Sequence, residues 1–331
     1  MKRHQLPTLI SLFFIAVLLL IAAGGAWLRP DKTSNANNQH LSISRQKPGF
    51  TVAVLQYTPL TNGQAGTPRE LPITSYRIDG DALWAVPFGD AMEVELGPLA
   101  TWEVKNRRFW LGTDTYGRDF LSRLMAGSAI SLSVGFVAVL ISLLVGVALG
   151  ALAGYYGGKT DAVISWVINV VWSIPTLLMV IAITLAFGKG FWQVFVAIGL
   201  TMWVEVARIV RGQFLSLREK EYVEAARSLG YSHLRIMGRH ILPNAIGPVI
   251  VISAANFASA ILIEAGLSFL GLGAQIPVPS WGNMIKEHYA LITTDLAYLA
   301  LLPGVLIMLL VLSFMMIGNG LRDQLDVRSK G

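Results

Sequence analysis

ISLSVGFVAVLISLLVGVALGAL, residues 130–152, carries no charged side chain and decides the fold. A bilayer core about 30 Å thick needs roughly 20 consecutive apolar residues in helix, and this run is long enough to cross it. Five further runs flank it: Leu9 to Leu28 before it, then Ala162 to Phe187, Phe191 to Val206, Ala245 to Leu272 and Ala297 to Ile317. Phe191 to Val206 is the weakest, being short and closed by Trp203, Glu205 and Arg208. Gly-rich links, GYYGGKTD at 154–161 and GKG at 188–190, suit tight hairpins between helices. The reading is an all-α membrane protein of six transmembrane helices.

Composition agrees. Of 331 residues, 54% are hydrophobic and 14% charged, against about 25% charged in soluble domains; the mean hydropathy is +0.57. The absence of cysteine excludes disulfides, thiol catalysis and Cys-ligated clusters. Five histidines, none at HxxxH or HxH spacing, make a His-built metal centre unfounded. The net charge of +6 belongs to membrane-flanking loops rather than to a nucleic-acid surface, because the apolar runs leave no soluble basic domain.

Lys and Arg set the orientation. With the N-terminus inside, thirteen fall in the N-tail, the 154–161 turn, the Arg208–Arg239 stretch and the C-tail, whereas the short outer loops hold Lys189 and Lys286. Both termini are therefore expected in the cytoplasm. A cleavable signal peptide competes for the start, MKRH followed by an apolar run and AAGGA. That run of about 20 residues exceeds the 7–15 of a signal h-region, so an uncleaved first span is preferred.

The expected division is a cytoplasmic N-tail with the first span (1–28), an extracytoplasmic segment (29–125), a transmembrane domain (126–318) containing a cytoplasmic loop (208–244), and a cytoplasmic C-tail (319–331). Segment 29–125 begins with the polar linker DKTSNANNQ. It continues with FTVAVLQYTPL and LPITSYRIDGDALWAVPF, whose β-branched and aromatic residues between Pro, Asn and Gly breakers predict short strands and turns. It holds no catalytic constellation; its single His, His40, lies in the linker. A small docking or lid domain is the expected role.

The loop RGQFLSLREKEYVEAARSLGYSHLRIMGRHILPN, residues 211–244, carries the function. It reads as two short helices broken at Gly230. On the first, Tyr222, Ala225, Ala226 and Leu229 make an apolar face. Glu221, Glu224 and Arg227 lie away from it, with Lys220–Glu224 and Glu224–Arg227 at supporting spacings. Gly230 suits the left-handed position that ends a helix. Ser232 can cap the second helix, where Leu234, Met237 and Ile241 share a face, and Pro243 marks entry to the fifth span. Such a pair could lie on lipid or dock into a cytoplasmic partner; the residues alone leave both open.

Resemblance separates them. EYVEAARSLGYSHLRIMGRHILPN resembles the EAA motif of ABC-importer permeases through Glu224-Ala225-Ala226, Gly230 four residues on, and Leu242-Pro243. LGTDTYGRDFLSRL (111–124), GYYGGKTD, LSFLGLGAQIPVPSWGNMI (267–285) and LPGVLIMLLVLSFMMIGNGLRDQLDVR (302–328) resemble the dipeptide/oligopeptide/nickel branch in order along the chain. The resemblance implies that the loop is a coupling helix, with Glu221, Tyr222, Glu224, Ala225, Ala226, Arg227, Leu229, Gly230, Leu242 and Pro243 facing an ATP-hydrolysing subunit. It implies as partners a second permease subunit, two ATP-binding subunits and an extracytoplasmic solute-binding protein, all at a bacterial cytoplasmic membrane. It implies a non-catalytic chain with no cofactor of its own, ATP and Mg²⁺ being held by partners, and short peptides as cargo, with nickel complexes or another small solute as the alternative. The segment before residue 111 is longer than the family requires, so no role transfers to it.

AGYYGGKT at 153–160 imitates a phosphate-binding loop, ending in Gly158-Lys159-Thr160. A true one follows a strand and opens a helix; here the match joins two apolar spans, and Ala153 stands at its first glycine. Within the spans, Glu205 is expected to pair with Arg208 at the interface. Glu264, deeper in the fifth, lines the translocation path or pairs with another subunit. Asn169, Ser173 and Pro175 interrupt the third span, where helix bending is expected. Trp166, Trp172, Trp203 and Trp281 read as belt or packing residues. An ion-driven transporter would need more intramembrane charge than Glu264 supplies. A membrane-anchored enzyme would need a reactive cluster in 29–125.

Overall fold

The computed structural model describes residues 5–61, 64–79, 82–188, 190–273, 275 and 277–328. Lys2, Arg3, Lys189 and Lys330, which entered the orientation count, lie outside these. Two compact units emerge, one of residues 1–23, 128–286 and 302–331, the other of 24–127 and 287–301. Residues 287–301, assigned from sequence to the transmembrane domain, group with the second unit.

The first unit is helical. Apolar composition continues through α1 (Gln5–Leu28) and α2 (Phe120–Tyr156), whose 37 residues extend about 55 Å at 1.5 Å per residue. The run at 130–152 is the middle of α2. The expected third span is not one helix. It divides into α3 (Gly158–Trp172) and α4 (Thr176–Phe187), bent by 91° at Ser173–Pro175, because Pro175 has no N–H for a continuing helix and its ring excludes the preceding helical carbonyl. The short fourth run becomes α5 (Phe191–Leu217), 27 residues long. Beyond it come α6 (Glu221–Ser228), the single turn α7 (His233–Arg235), a π-helical turn at Ile236–Ile241 and α8 (Leu242–Phe269). α9 (Trp281–His288) and α10 (Tyr298–Arg328) follow. Among the described residues, five helices are long and apolar enough to span, or six if the bent pair counts as one.

Small residues hold these helices together. Gly146, Gly150 and Gly154 recur every four residues along one face of α2. A Cβ on them would come within 2.6–2.9 Å of Val206, Val210 and Phe214 side-chain atoms and within 2.5–2.7 Å of the Trp203, Ala207 and Arg211 carbonyl oxygens on α5. Such a stripe lets two backbones close on each other where no hydrophobic effect drives helices together. Around it, Val134, Ala138, Val180, Phe195, Ile198, Ala260 and Leu267 form a common core of α2, α4, α5 and α8. Trp203 and Trp281 are buried in packing, whereas Trp166 and Trp172 are exposed.

The second unit carries an antiparallel sheet: β1 (Phe50–Thr61), β2 (Gln64–Ala65), β3 (Arg69–Asp79), β4 (Ala82–Pro87), β5 (Val94–Glu95) and β6 (Leu99–Phe109). β1 pairs with both β3 and β6, with Phe50 opposite Phe109. Both faces of β1 are apolar, as alternation in a two-sided strand allows. Val52 and Val54 pack with Ile43 and Phe109, and Leu55 with Ile73, Leu83 and Ala85.

The LGTDTYGRDFLSRL motif lies in this unit and builds a buried charge knot. Arg118 donates to Asp114 (2.5 Å) and Glu287 (2.6 Å), with Arg123 at 3.6 and 3.9 Å from the same carboxylates. Asp114 also accepts from the Tyr116 and Arg118 backbone amides. Gly117, at φ +70°, passes so close to the His40 carbonyl that no side chain fits. Ligand atoms of Asp114, Glu287 and His288 lie within 4.8 Å of one another. Two arginines already balance the two carboxylates there, so a cation would add unneutralised positive charge.

Candidate functional site

The loop between α5 and α8 is built on its own chain. Helix α6 ends as the sequence requires: Gly230 has φ +74°, its N–H donates to Arg227 O (2.9 Å), and Tyr231 N–H donates to Ala226 O (3.2 Å). These two bonds make the Schellman pattern that closes a helix with a left-handed residue. Ser232 stands just before α7 in extended conformation, but its hydroxyl makes no capping bond. That expectation is not met, and the Ser232 carbonyl instead accepts from Ile236 N–H (3.0 Å).

The apolar face of α6 differs from the expected one. Val223 and Ala226 are buried, while Tyr222, Ala225 and Leu229 face outward, Leu229 being 71% exposed. On the following turns Ile236, Met237 and Ile241 are buried and Leu234 is 77% exposed. Helical periodicity places Val223 one step from the Tyr222 stripe, so the helix is apolar on two sides, and only packing decides which side turns inward. The inward side joins Tyr155, Val206, Val210, Phe214, Ala245 and Val249 in one core. Glu221, Glu224 and Arg227 are exposed, and no Lys220–Glu224 or Glu224–Arg227 ion pair forms among the described residues. Arg227 lies over the Tyr155 ring at 5.5 Å. Leu242 is half-buried and Pro243 exposed, in the first turn of α8, where a missing N–H has no helical partner to lose.

Polar contacts lock this platform to the 154–161 turn, and sequence reading missed them. Arg211 pairs with Asp161 through two hydrogen bonds, one of 2.7 Å. Arg218 donates to the Gly154 (3.1 Å) and Tyr155 (3.4 Å) carbonyls. The Tyr155 hydroxyl and His233 Nδ1 are 2.9 Å apart. The one signal that could have pointed to them, the four-residue spacing of Gly146, Gly150 and Gly154, went unread in the sequence. The phosphate-loop mimic at 153–160 leaves α2 and enters α3, so a helix precedes it where a P-loop needs a strand.

Of the intramembrane residues, Glu264 is enclosed by its own chain. It accepts from Ser268 Oγ (2.6 Å), which is 3.2 Å from Ser280 Oγ. Its carboxylate therefore faces this internal hydroxyl pair. Glu205 and Arg208 are both exposed and form no ion pair with each other. The expected pairing is replaced by Arg208 stacked on Trp172, 4.1 Å from the ring centre.

The membrane unit thus carries, between two of its apolar helices, a loop with one side packed on the chain's own core and the other exposed. Comparison with known proteins makes the class specific. Residues 146–330 match the family of binding-protein-dependent transport system inner membrane components. The dipeptide transport permease DppC of Alkalihalophilus pseudofirmus is 40% identical over 249 residues, 75% of this chain and 82% of the relative. The glutathione permease GsiD of Pectobacterium atrosepticum is 40% identical, covering 67% and 73%. The oligopeptide permease OppC of Bacillus subtilis is 39% identical, covering 66% and 71%. A solved chain of the inward-facing MetNI methionine ABC transporter superposes with a TM-score of 0.52 at 20% identity, covering 62% of this chain and 97% of that one, which establishes the fold. The chain belongs to the inner-membrane component family of binding-protein-dependent transport systems. It is a multi-pass membrane permease whose partners are an ATPase and a solute-binding protein.

Proposed function

We propose that this chain forms half of the membrane pathway of an importer for short peptides and carries the coupling element that receives force from the ATPase. The supporting observation is the two-sided α6. Val223 and Ala226 anchor it on the chain's own core, while Tyr222, Leu229 and Leu234 remain exposed beside Glu221, Glu224 and Arg227. An anchored platform with projecting apolar side chains transmits a push; a loosely attached one absorbs it. In this reading Leu229 and Leu234 enter the ATPase groove, and the charged residues fix its register. Both termini and the loop face the cytoplasm, and residues 29–125 lie outside. A second permease, two ATP-binding subunits and a binding protein complete the assembly. The chain holds neither ATP nor Mg²⁺ and performs no catalysis, the Lys159 turn being structural.

Peptide cargo rests on the relatives, named for dipeptides, oligopeptides and glutathione, the last a tripeptide. Deleting the gene in a strain without redundant systems should abolish uptake of a labelled dipeptide. Loss of nickel accumulation with intact peptide uptake would refute the cargo and favour the second reading, a nickel-complex or other small-solute importer.

A further inference from the structure

The break between α3 and α4 opens a cleft of about 340 Å³ in the membrane unit, walled by α5 and α8. Its lining is mixed: Met179, Met202 and Leu262 are apolar, Thr201 and Ser259 offer hydroxyls, and Glu205 supplies a charge. Trp172, also in the lining, carries Arg208 on its ring. Glu205 and Arg208 stand one turn apart on α5, yet neither forms an ion pair among the described residues. Glu205 lines the cleft, and Arg208, outside the lining, is stacked on the lining Trp172, so a negative group in the cleft and a positive group at its edge complement a molecule that is itself a zwitterion.

We propose that this cleft is a cargo subsite that receives a short peptide with free termini. Glu205 takes the terminal ammonium and Arg208 the terminal carboxylate, while the Met and Leu walls accept side chains of varied shape. The volume lies at the small end of ligand cavities, about 300–1,000 Å³, which suits a dipeptide. Backbone broken within a membrane is tolerated where it lines such a cavity. The inference rests on the peptide-importer reading and adds the residues that would hold the cargo.

The chain contains no cysteine, so a single Ser259→Cys reports on the cleft. In the assembled importer reconstituted in proteoliposomes, a small methanethiosulfonate reagent should label it. Alanyl-alanine should protect it, and N-acetyl-alanyl-alanine amide, which lacks both charges, should not. Adding Glu205→Gln should raise the alanyl-alanine concentration needed for protection roughly tenfold, the loss expected for one charge-assisted hydrogen bond. Labelling without protection overturns the proposal. So does a failure to label the assembled importer, which would mean that the partner permease or closed packing covers the cleft. Uptake of labelled alanyl-alanine by the same vesicles separates the two readings: uptake without protection removes the subsite alone, and absence of peptide uptake removes the cargo reading beneath it.

Discussion

Replacing Gly230 tests whether the loop acts through its shape. The residue sits at φ +74° with open space around the position of a Cβ, nothing lying within 4 Å. A side chain there meets no neighbour, and the penalty comes from its own backbone alone, about 1–2 kcal/mol for an L-residue in the left-handed region. The chain can escape that strain by giving up the two bonds that close α6, from Gly230 N–H and Tyr231 N–H, each contributing a net 0.5–1.5 kcal/mol or so. The chain takes the cheaper route, so the native turn is disfavoured by about 1–2 kcal/mol, a factor of roughly 5–30 in population. Burial of Val223 and Ala226 keeps α6 seated meanwhile, so the displaced part is Leu229 and residues 231–235. Asn tolerates the left-handed region, Ala less, and a β-branched residue least. Gly230→Asn, Gly230→Ala and Gly230→Val should therefore lose substrate-stimulated ATP hydrolysis in that order, with membrane insertion unchanged, and Glu224→Lys should add to the loss. Full coupling in Gly230→Val, or an Asn variant as defective as Val, would refute the argument from shape.

Three further outcomes are expected. Leu229→Ser combined with Leu234→Ser should leave expression and insertion unaltered, because both side chains are exposed, but should reduce ATPase co-purification; a fully retained ATPase would remove them from the contact. Lys159→Ala should transport normally, and a photoreactive ATP analogue should not label the isolated chain; saturable labelling abolished by that substitution would reverse the reading of the mimic. In the sheet unit, His40 at 3.5 Å, with Gln56 and Arg107, holds the Glu70 carboxyl at about 2 against an ordinary 4.5. A depressed carboxylate stabilises the fold above its unfolded pKa and loses that contribution as pH falls from 4.5 towards 2. Thermal unfolding followed by tryptophan fluorescence between pH 6 and pH 3, an acid range of about three units, should show the native chain losing its advantage over Glu70→Gln, and a difference constant with pH would disprove the linkage.

Local chemistry determined much of this protein from the sequence alone. Uncharged apolar runs leave a chain no option but the bilayer, Gly230 ends a helix because only glycine enters the left-handed region freely, and Pro175 interrupts whatever helix contains it. Tertiary structure decided the remainder. α6 is apolar on two sides, and which side turns inward depended on Phe214, Ile236 and Ile241 being there to receive Val223. Asp161 and Arg211 are fifty positions apart, and they meet because the glycine stripe lets α2 and α5 close together. Glu205 and Arg208 have the spacing of an ion pair, yet Trp172 draws the guanidinium away. In each case the sequence offered several partners of similar chemistry, and the choice among them lay in the packing of distant segments, which periodicity and spacing along one helix do not encode.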